Sequence, residues 1–138
     1  MAKRRSKFSG DKRATVAKAK ELLKFAREEL NQLPQKGDLS PRQQARLRQA
    51  ADKTWSAVTT AADAFLLKTT GKTAKSKTQV ADVYSGKDAA KFAHVYSSLH
   101  IACAYEDDPT ICTVPRVKEQ FREAGQIIHS VALKLSKK

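Results

Sequence analysis

The chain has 138 residues, 41% of them hydrophobic and 27 lysines and arginines set against 14 aspartates and glutamates, for a formal net charge of +13. That is one domain with one core, and no apolar run reaches the roughly eighteen residues of a membrane span. The basic start MAKRRSKFSGDKR is followed by no apolar signal segment, so the expectation is an intracellular, cytoplasmic protein without a membrane partner.

Residues 1–10 carry Lys3, Arg4, Arg5 and Lys7 with no periodicity and read as a basic arm ahead of a single helical domain over 11–138. From Asp11 to Leu33, Val16, Ala19, Leu23, Ala26, Leu30 and Leu33 recur every three or four residues, the spacing of one helical stripe, with Lys20, Lys24 and Arg27 on another face. The short, turn-rich LPQKGD then sets the next helix antiparallel to the first.

That second helix is the most legible element. Ser40, Pro41 and Gln43 combine a hydroxyl cap, a proline at the first helical position and a capping box, and Gly71 supplies a left-handed stop about thirty residues later. Its stripe of Leu47, Ala51, Trp55, Val58, Ala62 and Phe65 is mostly alanine, so neighbours approach closely around the two rings, and the helix is expected at the centre of a bundle.

After Gly71 the loop holds Lys72, Lys75 and Lys77. Gly71-Lys72-Thr73 looks like the end of a phosphate-binding P-loop, but that motif needs a glycine where Leu66 stands and a strand before it, so the reading is rejected. Val80 to Ser85 reads as a helical turn, Gly86 interrupts, and a third long helix begins near Asp88 with Phe92, Val95, Leu99 and Ala102 on its core stripe. Glu106, Asp107 and Asp108 end it against the helix dipole, either to pair with a basic face or as a solvated loop. Cys103 and Cys112 lack metal-ligand spacing and read as a small core side chain and a loop thiol. From Pro115 to Leu135, Val117, Phe121, Ala124, Ile128, Val131 and Leu135 give the cleanest period of the chain. The fold class is all-α: an antiparallel four-helix bundle, or a five-helix one if the 80–85 segment joins it.

Charge points to the partner. Residues 1–77 hold a net +12 and residues 78–112 a net −3, and a field so lopsided attracts polyanions by releasing their counterions. The residues expected to meet phosphates are the arm, Lys20, Lys24 and Arg27, then Arg42, Arg46 and Lys53, then Lys72, Lys75 and Lys77. With few aromatics free to stack on bases, binding to RNA or DNA should tolerate any sequence. A structural subunit facing an acidic protein partner is the alternative that ignores nucleic acid.

The chemical inventory is thin, and neither cofactor nor metal is expected. His94 and His100 lie six residues apart, about 120° around a helix, so they cannot share a substrate atom. Arg122 and His129 share a face of the last helix at a spacing that suits phosphodiester chemistry.

The order of long helices, the alanine-rich AADKTWSAVTTAADAFLLKTTG and the later SSLHIACAYEDD resemble HEPN-type (higher eukaryote and prokaryote nucleotide-binding) bundles over residues 14–135. The resemblance implies a helical bundle, frequent dimerisation and RNA-directed roles, some relatives being metal-independent ribonucleases. The catalytic signature implied is an arginine, four to six intervening residues, and then a histidine. His100 matches the histidine, but positions 93–95 hold Ala93, His94 and Val95, and Arg122–His129 lies inside the last helix. The resemblance therefore implies a non-catalytic RNA-binding bundle ahead of a toxin-like ribonuclease. For a dimer, Tyr96, Cys103 and Ala104 form a second semi-apolar face open either to a partner copy, which would bring His100 near the two-fold axis, or to the 80–85 segment.

Overall fold

A computed structural model describes residues 13–35 and 37–136; the basic arm with Lys3, Arg4, Arg5 and Lys7 lies outside them. All regular structure among the described residues is helical. Helix α1 (Val16–Asn31) begins later than the periodicity suggests because Thr15 caps it, its hydroxyl accepting from the Lys18 N–H at 3.1 Å. It stops ahead of Pro34, which disfavours helical geometry in the residue before it.

Helix α2 (Pro41–Thr70) has the bounds its caps dictate. The Ser40 hydroxyl accepts from the Gln43 N–H at 3.1 Å while the Gln43 amide oxygen accepts from the Ser40 N–H at 2.9 Å. At the other end Gly71 turns left-handed, φ 78°, and donates to the carbonyls of Leu66 and Leu67. Trp55 is 1% exposed, and Ala50, Ala51, Ala57, Ala61 and Ala62 are fully buried along the same helix.

Contacts along α2 fix the directions of its neighbours. Arg46 reaches Gln32 whereas Lys53, further on, reaches Glu29 and Phe25, so α1 runs antiparallel to α2. Helix α5 (Val114–Ser136) runs parallel to α2, since Gln44 bonds the carbonyl of Cys112 at its start and Phe65 meets Lys134 near its end. Between them lie α3 (Lys77–Val83), a 3-10 turn over Gly86–Asp88, and α4 (Ala89–Val95), which passes without a break into a π-helix, Tyr96–Tyr105. Arg48 meets the late π-helix while Trp55 meets Phe92 and Tyr96, so this pair also opposes α2.

The change to π geometry departs from the single helix expected from Asp88, and the ring contacts supply its reason. Phe92, Tyr96 and His100 all lie against Trp55, with centroids 5.8, 5.4 and 5.1 Å away. Steps of four drift by about 40° in an α-helix, which would carry His100 about 80° from Phe92; the wider π turn takes that drift back. The π-helix ends where Glu106 N–H bonds Ile101 O, Asp107 turns left-handed at φ 52°, and Asp108 N–H bonds Ala102 O. Aspartate is among the few residues that enter that region readily. Arg48 covers the last carbonyls, donating to Cys103 O and Ala104 O, each at 3.2 Å, and pairs with Asp107 at 3.5 Å.

This turn overturns the reading of two free thiols. Cys103 and Cys112 form a disulfide, Cα atoms 5.0 Å apart, and both are buried. The reversal after Asp107 lets Asp108 O accept from the N–H groups of Ile111 and Cys112, which brings Cys112 back beneath Cys103. A separation of nine positions, through helix end and loop, conceals that proximity in the sequence.

The second face attributed to Tyr96, Cys103 and Ala104 is also largely taken within the chain. Tyr96 lies between Trp55 and the Lys77 ammonium, 4.6 Å above its ring, and Cys103 is in the disulfide; Ala104 is half-buried. Helix α3 begins at Lys77, ahead of the expected Val80, because Ser76 caps it and accepts from Gln79 N–H at 3.3 Å. Val80, Val83 and Tyr84 join the core, where the Tyr84 hydroxyl donates to Val58 O at 2.6 Å.

Candidate nucleic-acid interface

The cations expected to meet phosphates fall into three groups. Lys20, Lys24 and Arg27 are exposed and form one file on α1, away from buried Ala19, Ala26 and Leu30. Arg42, Arg46 and Lys53 form another on α2, beside α1. This second file is engaged within the chain: Arg46 donates to Gln32, and Lys53 sits 3.4 Å from a Glu29 carboxylate oxygen and 5.5 Å from the Phe25 ring centre. Phe25 and Glu29 lie about 150° around α1 from the Lys20, Lys24 and Arg27 file, so the two files face different directions.

Lys72, Lys75 and Lys77 form the third group, about 40 Å along α2 from Arg42, and all three are exposed. Their loop is held at several points. Gly71 reverses the chain, Ala74 N–H donates to the Asp63 carboxylate at 2.9 Å, Ser76 caps α3, and the Gln79 side chain accepts from Lys75 N–H. Between loop and α3 lies a cavity of about 370 Å³ lined by Leu66, Thr70, Lys72, Thr73, Lys75, Gln79 and Asp82.

Topology adds lysines that are distant in sequence. Lys68 stands on the last turn of α2, Lys87 on the 3-10 turn before α4, and Lys134 near the end of α5, donating to Val83 O at 3.3 Å and lying 5.8 Å from the Phe65 ring centre. The up-and-down arrangement puts all of these at one end of the bundle. Of the nearby carboxylates, Asp63 and Asp88 are buried and Asp82 is exposed. Burial pushes the Tyr84 hydroxyl well above the usual tyrosine range, and the charges of Asp88 and Asp63 push it further the same way. Beneath the lysines, then, lies a neutral phenol and two buried acids.

The opposite end carries Glu106, Asp107 and Asp108. Asp108 accepts from the Thr110 hydroxyl at 2.7 Å and the Thr110 N–H at 2.9 Å, bonds that hold its carboxyl below the usual carboxylate range. Its work is local to the turn, and Arg48 meets this acidic cluster through Asp107.

The residues considered for catalysis are dispersed. His100 is 9% exposed and stacked on Trp55, the ring planes 17° apart. Arg122 and His129 are exposed on α5, two turns apart. Glu123, the residue after Arg122, turns to His94, 3.6 Å from its Nδ1. Among the described residues no group of three or more histidine, cysteine, aspartate or glutamate side chains could hold a metal ion, and no helix is long and apolar enough to cross a membrane. No protein-family model matches the sequence, and neither a curated protein nor a solved structure shows significant similarity to it.

Proposed function

We propose that this chain binds nucleic acid, RNA in the first place, through the lysine-rich end of the bundle and without catalysing a reaction. The observation that carries the reading is the gathering of Lys68, Lys72, Lys75, Lys87 and Lys134 at one end, with Lys77 alongside over the Tyr96 ring, where two of the three nearest carboxylates are buried. Exposed ammonium groups close together attract a phosphate backbone by displacing its counterions, whatever the base sequence. The placement of His100 inside the aromatic cluster, apart from Arg122 and His129, supports leaving catalysis out. Single strands and duplexes of unrelated sequence should be retained on a filter at low salt and released steeply as salt rises. No retention of RNA or DNA even at low salt would remove the proposal; binding of an acidic protein under those same conditions would turn the surface over to that class of partner.

A further inference from the structure

We infer that Asp63 is the positioning residue of this phosphate-binding surface, acting through the backbone of the loop that carries Lys72 and Lys75. The inference rests on the proposed function. Asp63 projects from α2 and is 6% exposed, yet its Oδ1 reaches Ala74 N–H at 2.9 Å, and Ala74 is 1% exposed. Lys72 and Lys75 flank Ala74 and line the same cavity with Thr70, Thr73 and Gln79. The carboxylate thus holds the middle of the loop down while Lys72 and Lys75 on either side stay exposed and line the cavity. A loop fixed in this way gives up less conformational freedom when a phosphate arrives, and that ordering cost weakens binding by mobile side chains and loops.

The position of Asp63 and its charge act on binding with opposite signs. A carboxylate beneath a cationic surface opposes an approaching phosphate, so by charge alone its removal should tighten binding. By position, its removal frees the loop and weakens binding. Asp63→Ala takes away charge and hydrogen-bond acceptor together, whereas Asp63→Asn takes away the charge and keeps an acceptor for Ala74 N–H.

The test uses anisotropy of a fluorescein-labelled single-stranded oligonucleotide titrated with the full chain at several salt concentrations, beside amide hydrogen exchange at Ala74. Asp63→Ala should bind about three- to tenfold more weakly, the scale expected for ordering one or two long side chains. Its dependence on salt should be unchanged, because every lysine remains. Asp63→Asn should bind as tightly as the unaltered protein or tighter, with Ala74 still protected, and protection should fall in Asp63→Ala. Should Asp63→Ala fail to fold, two glycines inserted between Lys72 and Thr73 loosen the same loop with every charge in place, and the same drop in affinity is expected. Binding by Asp63→Ala or by the insertion as tight as that of the unaltered chain overturns the inference alone. Failure of the unaltered chain to bind overturns the function it rests on as well.

Discussion

Replacing Lys72, Lys75 and Lys77 together with glutamine should do more to nucleic-acid binding than the same replacement at Arg42, Arg46 and Lys53, although each removes three positive charges. Lys72 and Lys75 are exposed at the end where Lys68, Lys87 and Lys134 also gather, and Lys77 is exposed with its ammonium over the uncharged Tyr96 ring. In the second trio, Arg46 bonds Gln32 and Lys53 pairs with Glu29, so their charges are partly answered before any ligand arrives. Each phosphate that a lysine neutralises adds about 0.7 to the steepness of log K against log salt for a single strand, so taking away three such lysines flattens it by about 2. Between 50 and 200 mM salt, a slope smaller by about 2 makes the fall in affinity about sixteenfold shallower. Anisotropy titrations of one labelled oligonucleotide at four salt concentrations measure both slopes. Equal slopes for the two triple variants would refute the reasoning, because binding would then follow net charge and not its placement.

Trp55→Ala should destabilise the fold by about 3–5 kcal/mol in denaturant titration, since it empties the site on which Phe92, Tyr96 and His100 converge. Removing the Cys103–Cys112 bond, by reductant or by replacing both with alanine, should lower stability by about 2–3 kcal/mol for a closed loop of this length, seen as a lower denaturant midpoint. Tyr84→Phe should cost about 0.5–1.5 kcal/mol near neutral pH for the missing bond to Val58. The hydroxyl's pKa is raised by folding, so its contribution is complete below the ordinary tyrosine value near 10 and fades as the pH climbs past it; the unaltered chain should weaken there more steeply than Tyr84→Phe.

Much of the helical order is legible in the sequence because its signals are local. The Ser40–Gln43 box, Pro41 and Gly71 fix α2 within a few residues of chain, and the same kind of signal at Ser76 and Gln79 marks the start of α3, although hydrophobic pattern alone draws attention to Val80. The π-helix is not legible, because its cause is Trp55 on another helix drawing Phe92, Tyr96 and His100 into one row. The disulfide is hidden for a like reason: Asp107 and Asp108 turn the chain before Cys112 meets Cys103. At the candidate interface, Lys72, Lys75 and Lys77 form a run that a sequence displays. Lys68, Lys87 and Lys134 join them through the direction of four helices, and Asp63 reaches the loop from eleven residues away.

The up-and-down course of the chain also decides where the molecule can be handled. Arg13, just before α1, and Ser136, closing α5, stand at the same end as the lysine cluster, so anything attached at either residue is delivered to that surface. A dye, a bead or a fused domain placed there would crowd the ligand or lend it charge of its own. Thr110, exposed in the turn before α5, stands about 35 Å away along that helix. A probe attached there leaves the cationic end clear, and a molecule anchored there presents that end outward to solution.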